Sequence, residues 1–176
     1  YQLVHLATLA GIARAAERDV AQQVAGRKRI FSTGNAPLAR QDPQLQQVVG
    51  QISAQAYAAA AVAIRAAEPA QRAYLARFGD DPEAEKAANI DAEIESAQGQ
   101  LVIADLALRA TADLFNALGA SSASERLALD RHWRNARTVA THNPLVYKAR
   151  IVGDWAINGT EPPYVWQIGG SPAAGK

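Results

Sequence analysis

The stretch DPEAEKAANIDAEIESAQGQLVIADLALRATADLFNALG, Asp81 to Gly119, decides the fold. Its opening is a helix-start signature. Asp81 can cap the first backbone N–H groups, and Pro82 suits the first helical position because its missing N–H would have no partner there. Glu83 and Glu85 sit where the helix dipole favours negative charge. The helical pattern runs on to Leu118 and stops at Gly119, a residue suited to the position just past a helix end. At 1.5 Å per residue such a helix is roughly 50 Å long.

The flanking sequence supplies companions for it. Leu3, Leu6, Ala7, Ala10, Ile12, Ala13, Ala16 and Val20 follow the helical period and predict a first helix to about Gly26. A basic cluster follows, Arg27-Lys28-Arg29-Ile30-Phe31, and then a loop of turn formers from Ser32 to Pro37. Asp42-Pro43 repeats the start signature, and a second helix runs through Val48, Val49, Ile52, Ala56 and Ala59 to about Glu68. Pro69 is expected to interrupt it, with a further helical stretch from Ala70 to Phe78. Beyond Gly119, Ser122 and Glu125 read as a capping box for a fourth helix. Pro144 should end or kink that helix, and helical pattern returns to about Trp155 before an Asn158-Gly159 turn. No strand-like alternation of any length and no internal repeat is present. The expected fold is all-α: an antiparallel, up-down four-helix bundle over residues 1–162, followed by an irregular tail, 163–176.

Composition narrows the function classes. The chain has 176 residues, enough for one domain with a sizeable core, and a formal charge of +1, so no global excess points to nucleic acid. No apolar run approaches a membrane span. With no cysteine, disulfides, thiolate metal sites and cysteine nucleophiles are excluded, and a cytoplasmic location is expected. The chain also lacks methionine and opens on Tyr1-Gln2-Leu3-Val4, already inside a helical pattern; it reads as part of something longer.

The polar chemistry concentrates between Leu129 and Pro144. Arg131, Arg134 and Arg137 recur every third residue, a cationic ridge whose like charges repel by about 0.2–0.5 kcal/mol per pair unless an anion faces them. Pairing with acids on other helices is the ordinary fate of such arginines. Trp133 and mid-helix His132 read as packing residues, and His5, with no motif around it, as incidental. His142, before Asn143-Pro144, occupies the kind of position at which functional residues gather.

Two motif regions carry a resemblance. Asn116-Ala117-Leu118-Gly119-Ala120 and Arg134-Asn135-Ala136-Arg137 fall, without a gap between them, at the Gln-x-x-Gly-Gly and Arg-Asp-Ala-Lys motifs of the acyl-CoA dehydrogenase superfamily's C-terminal helical domain. Arg27 to Phe31 falls at that family's Arg-x-x-Phe flavin motif. The chain resembles this domain from Leu3 to about Pro162. It departs at one telling place: acyl-CoA dehydrogenases commonly carry a glutamate base in the loop where this chain has His142-Asn143-Pro144. The run His132-Trp133-Arg134-Asn135-Ala136-Arg137-Thr138, His142-Asn143-Pro144, Gly153-Asp154 and Asn158-Gly159 is instead similar to the branch of flavin-dependent monooxygenases acting on dibenzothiophene and sulfones. Some of its members carry a second histidine three residues before the His-Asn/Asp-Pro; Val139 stands there in this chain.

The resemblance implies a flavin, FMN or alternatively FAD, supplied reduced by a separate flavin reductase and used with O2 to oxygenate a small molecule. It implies His142 and Asn143 as catalytic residues. Arg27, Arg29, Phe31, Asn116, Gly119 and Arg137 are implied cofactor contacts, some reaching the flavin of a neighbouring subunit in a tetramer. No metal is expected. The alternatives are an acyl-CoA dehydrogenase proper and a non-catalytic oligomerisation module.

Overall fold

A computed structural model describes residues 1–164, and these are helical with no strand. The expected tail beyond residue 164 lies outside the described residues. Asp81 caps the long central helix as its sequence requires: Oδ1 accepts from the backbone N–H groups of Glu83 at 3.0 Å and Ala84 at 3.1 Å. That helix, Pro82–Leu118, is the third of five: α1 Gln2–Gly26, α2 Pro43–Ala76, α3 Pro82–Leu118, α4 Asp130–His142 and α5 Leu145–Asn158.

Residue pairs across the interfaces give the directions. Ser53 of α2 donates to Glu17 of α1 at 2.6 Å. Arg65 and Arg72 of α2 meet Glu95 and Asp91 of α3. As one partner's number rises the other's falls, so α2 is antiparallel to α3. Leu6 lies against Gly99, while Arg27 donates to the carbonyl of Leu118, so α1 and α3 run parallel. Asp19 bonds His132, and Tyr1 meets His142, so α4 returns antiparallel to α1. The order is up, down, up, down. The fourth rod is broken at Pro144 into α4, against α1 and α3, and α5, against the first half of α3.

The core is built from small residues with a few large ones between them. Ala13, Ala16, Ala59, Ala104, Ala107 and Ala110 are buried along the three long helices, and Leu6, Leu9, Ile52, Ile103, Leu114 and Leu129 fill between them. Small side chains let backbones approach. At Gly99 a Cβ would stand 3.4 Å from Leu6 Cδ1 and 3.5 Å from the Ala66 methyl, so α1, α2 and α3 converge there.

Three expectations are corrected. Pro69 does not interrupt α2, which continues to Ala76. A mid-helix proline loses one hydrogen bond and costs about 3 kcal/mol locally. Here its ring is fully buried, and packing on both sides of it holds the helix together. Ser122 and Glu125 do not start α4. The Ser122 hydroxyl donates back to the Gly119 carbonyl at 2.6 Å inside a 3-10 turn, Ala120–Ser122, and so is no longer available as a cap. The chain then turns through Ala128, whose φ of 46° is left-handed, and α4 begins at Asp130 without a side-chain cap. Third, His142 is not a loop residue but the last residue of α4, with Asn143 and Pro144 forming the break.

The cationic ridge resolves into separate partners. Arg131 Nη2 donates to Asp19 Oδ2 at 2.5 Å, and Arg131 Nη1 donates to the Leu127 and Ala128 carbonyls of the strained turn. His132, only 5% exposed, places Nε2 2.9 Å from the same Asp19 oxygen. Arg134 pairs with Asp130 one turn before it. Burial alone would raise the Asp19 pKa, but the hydrogen bonds and charges of His132 and Arg131 outweigh it and hold the carboxyl below its ordinary value.

Because that pKa is depressed on folding, the stability it contributes is complete above the ordinary carboxylate range. It is lost as pH falls through about 4 toward the depressed value. Asp19→Asn removes an acceptor of two charge-assisted bonds and leaves His132 buried without its anion. It should cost about 1–3 kcal/mol in urea unfolding at pH 7, with the gap between variant and parent closing in acid. Equal midpoints at pH 7 would show that Asp19 does not lock α4 to α1.

Candidate functional site

Two polar clusters stand out, one at each end of α1. The first surrounds its C-terminal end. Arg27 leaves α1 and folds over the end of α3, donating to the Leu118 carbonyl through Nη1 and to the Arg29 carbonyl through Nε at 3.0 Å. Its guanidinium also lies 5.6 Å from the centroid of the Phe31 ring, a cation–π contact. Phe31 is two-thirds exposed and rests against Gly119, where a Cβ would stand 3.6 Å from the ring. Gly119 has φ 72° and ψ −178°, a conformation essentially reserved for glycine. It lets α3 end abruptly and turn beneath the ring.

Arg27, Arg29, Phe31, Asn116 and Gly119 therefore line one cleft of about 150 Å³. An adjoining cleft of about 580 Å³ shares Arg27, Arg29, Phe31 and Gly119 and adds Lys28 and Ser121. The donor set is cationic and amide- or hydroxyl-bearing, with an aromatic face beside it. Forked guanidinium donors suit phosphate oxygens. Five of the six expected cofactor residues thus come together. Arg137 does not join them: it sits exposed on α4, one turn before the other cluster. Arg27 also has a structural duty, since it satisfies a C-terminal carbonyl that α3 would otherwise leave open.

The second cluster lies at the N-terminal end of α1. The Tyr1 hydroxyl is 2.6 Å from His142 Nε2. His5 and His142 meet edge to face, centroids 4.7 Å apart at 88°. Tyr1 packs against His5 as well, at 4.9 Å. The Asn143 amide donates to Gln2 Oε1 at 2.9 Å and reaches His5 Nδ1 at 3.4 Å. Burial first, and then the charge of His142, lowers the His5 pKa below the ordinary imidazole value. His142 and Asn143 are thus adjacent and held from α1. His5, expected to be incidental, is at the centre of the group. No local motif marked it, and only the antiparallel return of α4 brings it to His142.

These clusters are far apart. His5 and Arg27 are separated along α1 by roughly 33 Å at 1.5 Å per residue. No single flavin mononucleotide reaches from one to the other within this chain. Nearby, buried Lys148 of α5 faces Glu93 of α3; burial pushes the lysine pKa down and the carboxyl pKa up. Among the described residues no group of histidines and carboxylates could hold a metal, and no helix is long and apolar enough to cross a membrane.

Gly119→Ala should force the backbone out of a conformation that alanine resists, costing about 1–3 kcal/mol. The expected sign is a lowered melting temperature together with loss of order in the Phe31 ring, read from its aromatic NMR signals. Unchanged melting would mean the chain accommodates a side chain there.

Comparison with known proteins places this architecture. Residues 3–146 match the family model described as acyl-CoA dehydrogenase, C-terminal domain. A dibenzothiophene monooxygenase of Mycolicibacterium goodii is 29% identical over 161 residues, covering 92% of this chain and 38% of its own length. The FMN-bound structure of TdsC from a Paenibacillus species superposes with a TM-score of 0.78 at 31% identity, over 92% of this chain and 39% of that one. The methanesulfinate monooxygenase of Pseudomonas fluorescens gives a TM-score of 0.78 at 27% identity, over 92% and 41%. The chain spans about two fifths of the length of these relatives. An all-α, up-down helical arrangement, the basic cleft beneath the end of its longest helix and the match over residues 3–146 lead to one assignment: the chain belongs to the acyl-CoA dehydrogenase C-terminal domain family.

Proposed function

We propose that this chain, as a helical domain over residues 1–162, serves in a flavin-dependent monooxygenase that uses reduced FMN and O2 to oxygenate a small organic molecule, an organosulfur compound among the candidates. The observation that carries the reading is the chemistry of the α4–α5 break. It presents an imidazole and an amide, His142 and Asn143, and no carboxylate. Removal of an α-proton from an acyl thioester needs a base held at the reacting carbon. An imidazole poised by Tyr1 suits a different task, holding or passing a proton at an oxygen atom near neutral pH. The relatives named as monooxygenases, one of them solved with FMN, support the same choice.

The donor set at the end of α3 fits the phosphate end of such a flavin. Arg29 and Lys28 would supply charge, Asn116 an amide, and Phe31 with Gly119 a flat wall against which a ring can rest. The flavin, once bound, supplies the oxygen-activating chemistry; the protein orients it and keeps water away. Since the basic cleft and the histidine cluster stand at opposite ends of α1, both can serve one flavin only if they come from two copies of the chain. That supports a homo-oligomer, for which a tetramer is the expected form. The exposed apolar residues Tyr57, Ile64 and Leu75 of α2, with Phe78 just beyond its end, are fitting material for such contacts. Arg137, next to the histidine cluster, would then act at that end of the site. A flavin reductase is the implied source of reduced flavin, and the cytoplasm the implied place.

The test uses the flavoenzyme that contains this chain. With a reductase and FMN it should consume O2 and oxygenate an organosulfur substrate such as dibenzothiophene. His142→Asn should lower that rate by about 10²-fold, in the range for a lost proton-transfer group, with flavin binding unchanged. Tight FAD with dye reduction by an acyl-CoA would replace this reading by a dehydrogenase. Absence of any flavin binding would leave a helical assembly module.

A further inference from the structure

The basic clefts belong to the flavin reading, the Asp19 cluster is a structural lock, and the Glu93–Lys148 pair is enclosed between α3 and α5. The histidine cluster goes further.

An amide nitrogen can only donate a hydrogen bond. Asn143 Nδ2, 3.4 Å from His5 Nδ1, therefore meets that nitrogen as an acceptor, which requires a neutral His5 ring carrying its proton on Nε2. The same amide is fixed from its other side by Gln2 Oε1. His142, the edge-to-face neighbour, has its Nε2 at the Tyr1 hydroxyl. Two imidazole rings with centroids 4.7 Å apart disfavour a proton on His5 while His142 is charged, because like charges repel. We propose that His5 is a positioning residue of the oxygenation site: a neutral ring accepting from Asn143, it packs edge to face on His142 and fixes the orientation of that imidazole. The inference rests on the reading of His142 as the proton-handling group.

The surroundings agree. The lowered His5 pKa has burial as its larger cause and His142 as the next. On α2 and α3 the charged groups of this region, Arg65, Glu68 and Glu95, pair with one another. Lys148 of α5 faces Glu93 of α3. None of these places a carboxylate on His5 that would hold it charged.

The chain has three histidines, so 15N-histidine NMR resolves each ring. In the parent, His5 should show the neutral Nε2–H tautomer at pH 7 and protonate only below the ordinary imidazole range. Asn143→Ala should scramble that tautomer, and His142→Asn should move the His5 titration upward. A His5 ring that is charged at pH 7, or indifferent to both substitutions, overturns the proposal. In the flavoenzyme, His5→Phe keeps an aromatic ring but no acceptor. It should lower kcat about 10-fold with KM within about 2-fold, and shift the acid limb of the pH profile. His5→Asn, which restores an acceptor, should recover part of the loss. Parental kcat and pH profile in His5→Phe, beside a slow His142→Asn, would sink the positioning role alone. Parental rates in both variants would sink the reading of the site itself.

Discussion

The contact between α1 and α4 at Asp19 governs what the rest of the molecule can do. One carboxylate receives Arg131 and stands against His132, and both belong to the first turn of α4. That turn has no side-chain cap of its own and follows a left-handed alanine. Without the anion, α4 would begin with a buried imidazole and a guanidinium facing only carbonyl oxygens. With it, the register of α4 on α1 is set three turns before His142, and the last residue of α4 arrives at the first turn of α1. The site at that end is thus positioned by an interaction that takes no part in it.

The same logic explains the use of alanine. A core of large aliphatic side chains would stabilise more per residue but would hold the helices farther apart. Ala66, Gly99 and their neighbours instead bring α1, α2 and α3 close together. Closely packed rods keep their two ends at a fixed separation. The basic cleft and the histidine cluster inherit that rigidity, though each is built from residues at helix ends.

Much of this was legible in the residues. Asp42-Pro43 and Asp81-Pro82 start α2 and α3 where they predict, since a cap acts locally and needs nothing distant. Gly119 ends α3 for the same reason. The failures share one cause: tertiary contacts outweighed a local rule. Buried packing carried α2 through Pro69, and the hydroxyl of Ser122 found the Gly119 carbonyl before it could cap anything. Of the candidate site residues, Arg27, Arg29, Phe31, Asn116 and Gly119 converge because each flanks a helix end that the sequence marks. His5 was invisible because its significance lies wholly in a partner 137 positions away, and periodicity says nothing about such partners.

The separation of the two clusters along α1 has a genetic consequence. On the proposed assembly, each flavin draws its phosphate contacts from one copy and its imidazole from another. Two inactive alleles, one damaged in the basic cleft and the other at the histidine cluster, would then not be equivalent to either alone. Mixed oligomers would contain some sites in which both lesions fall together and others in which neither falls. Such alleles would complement each other within a single gene, and the activity recovered would count the intact composite sites.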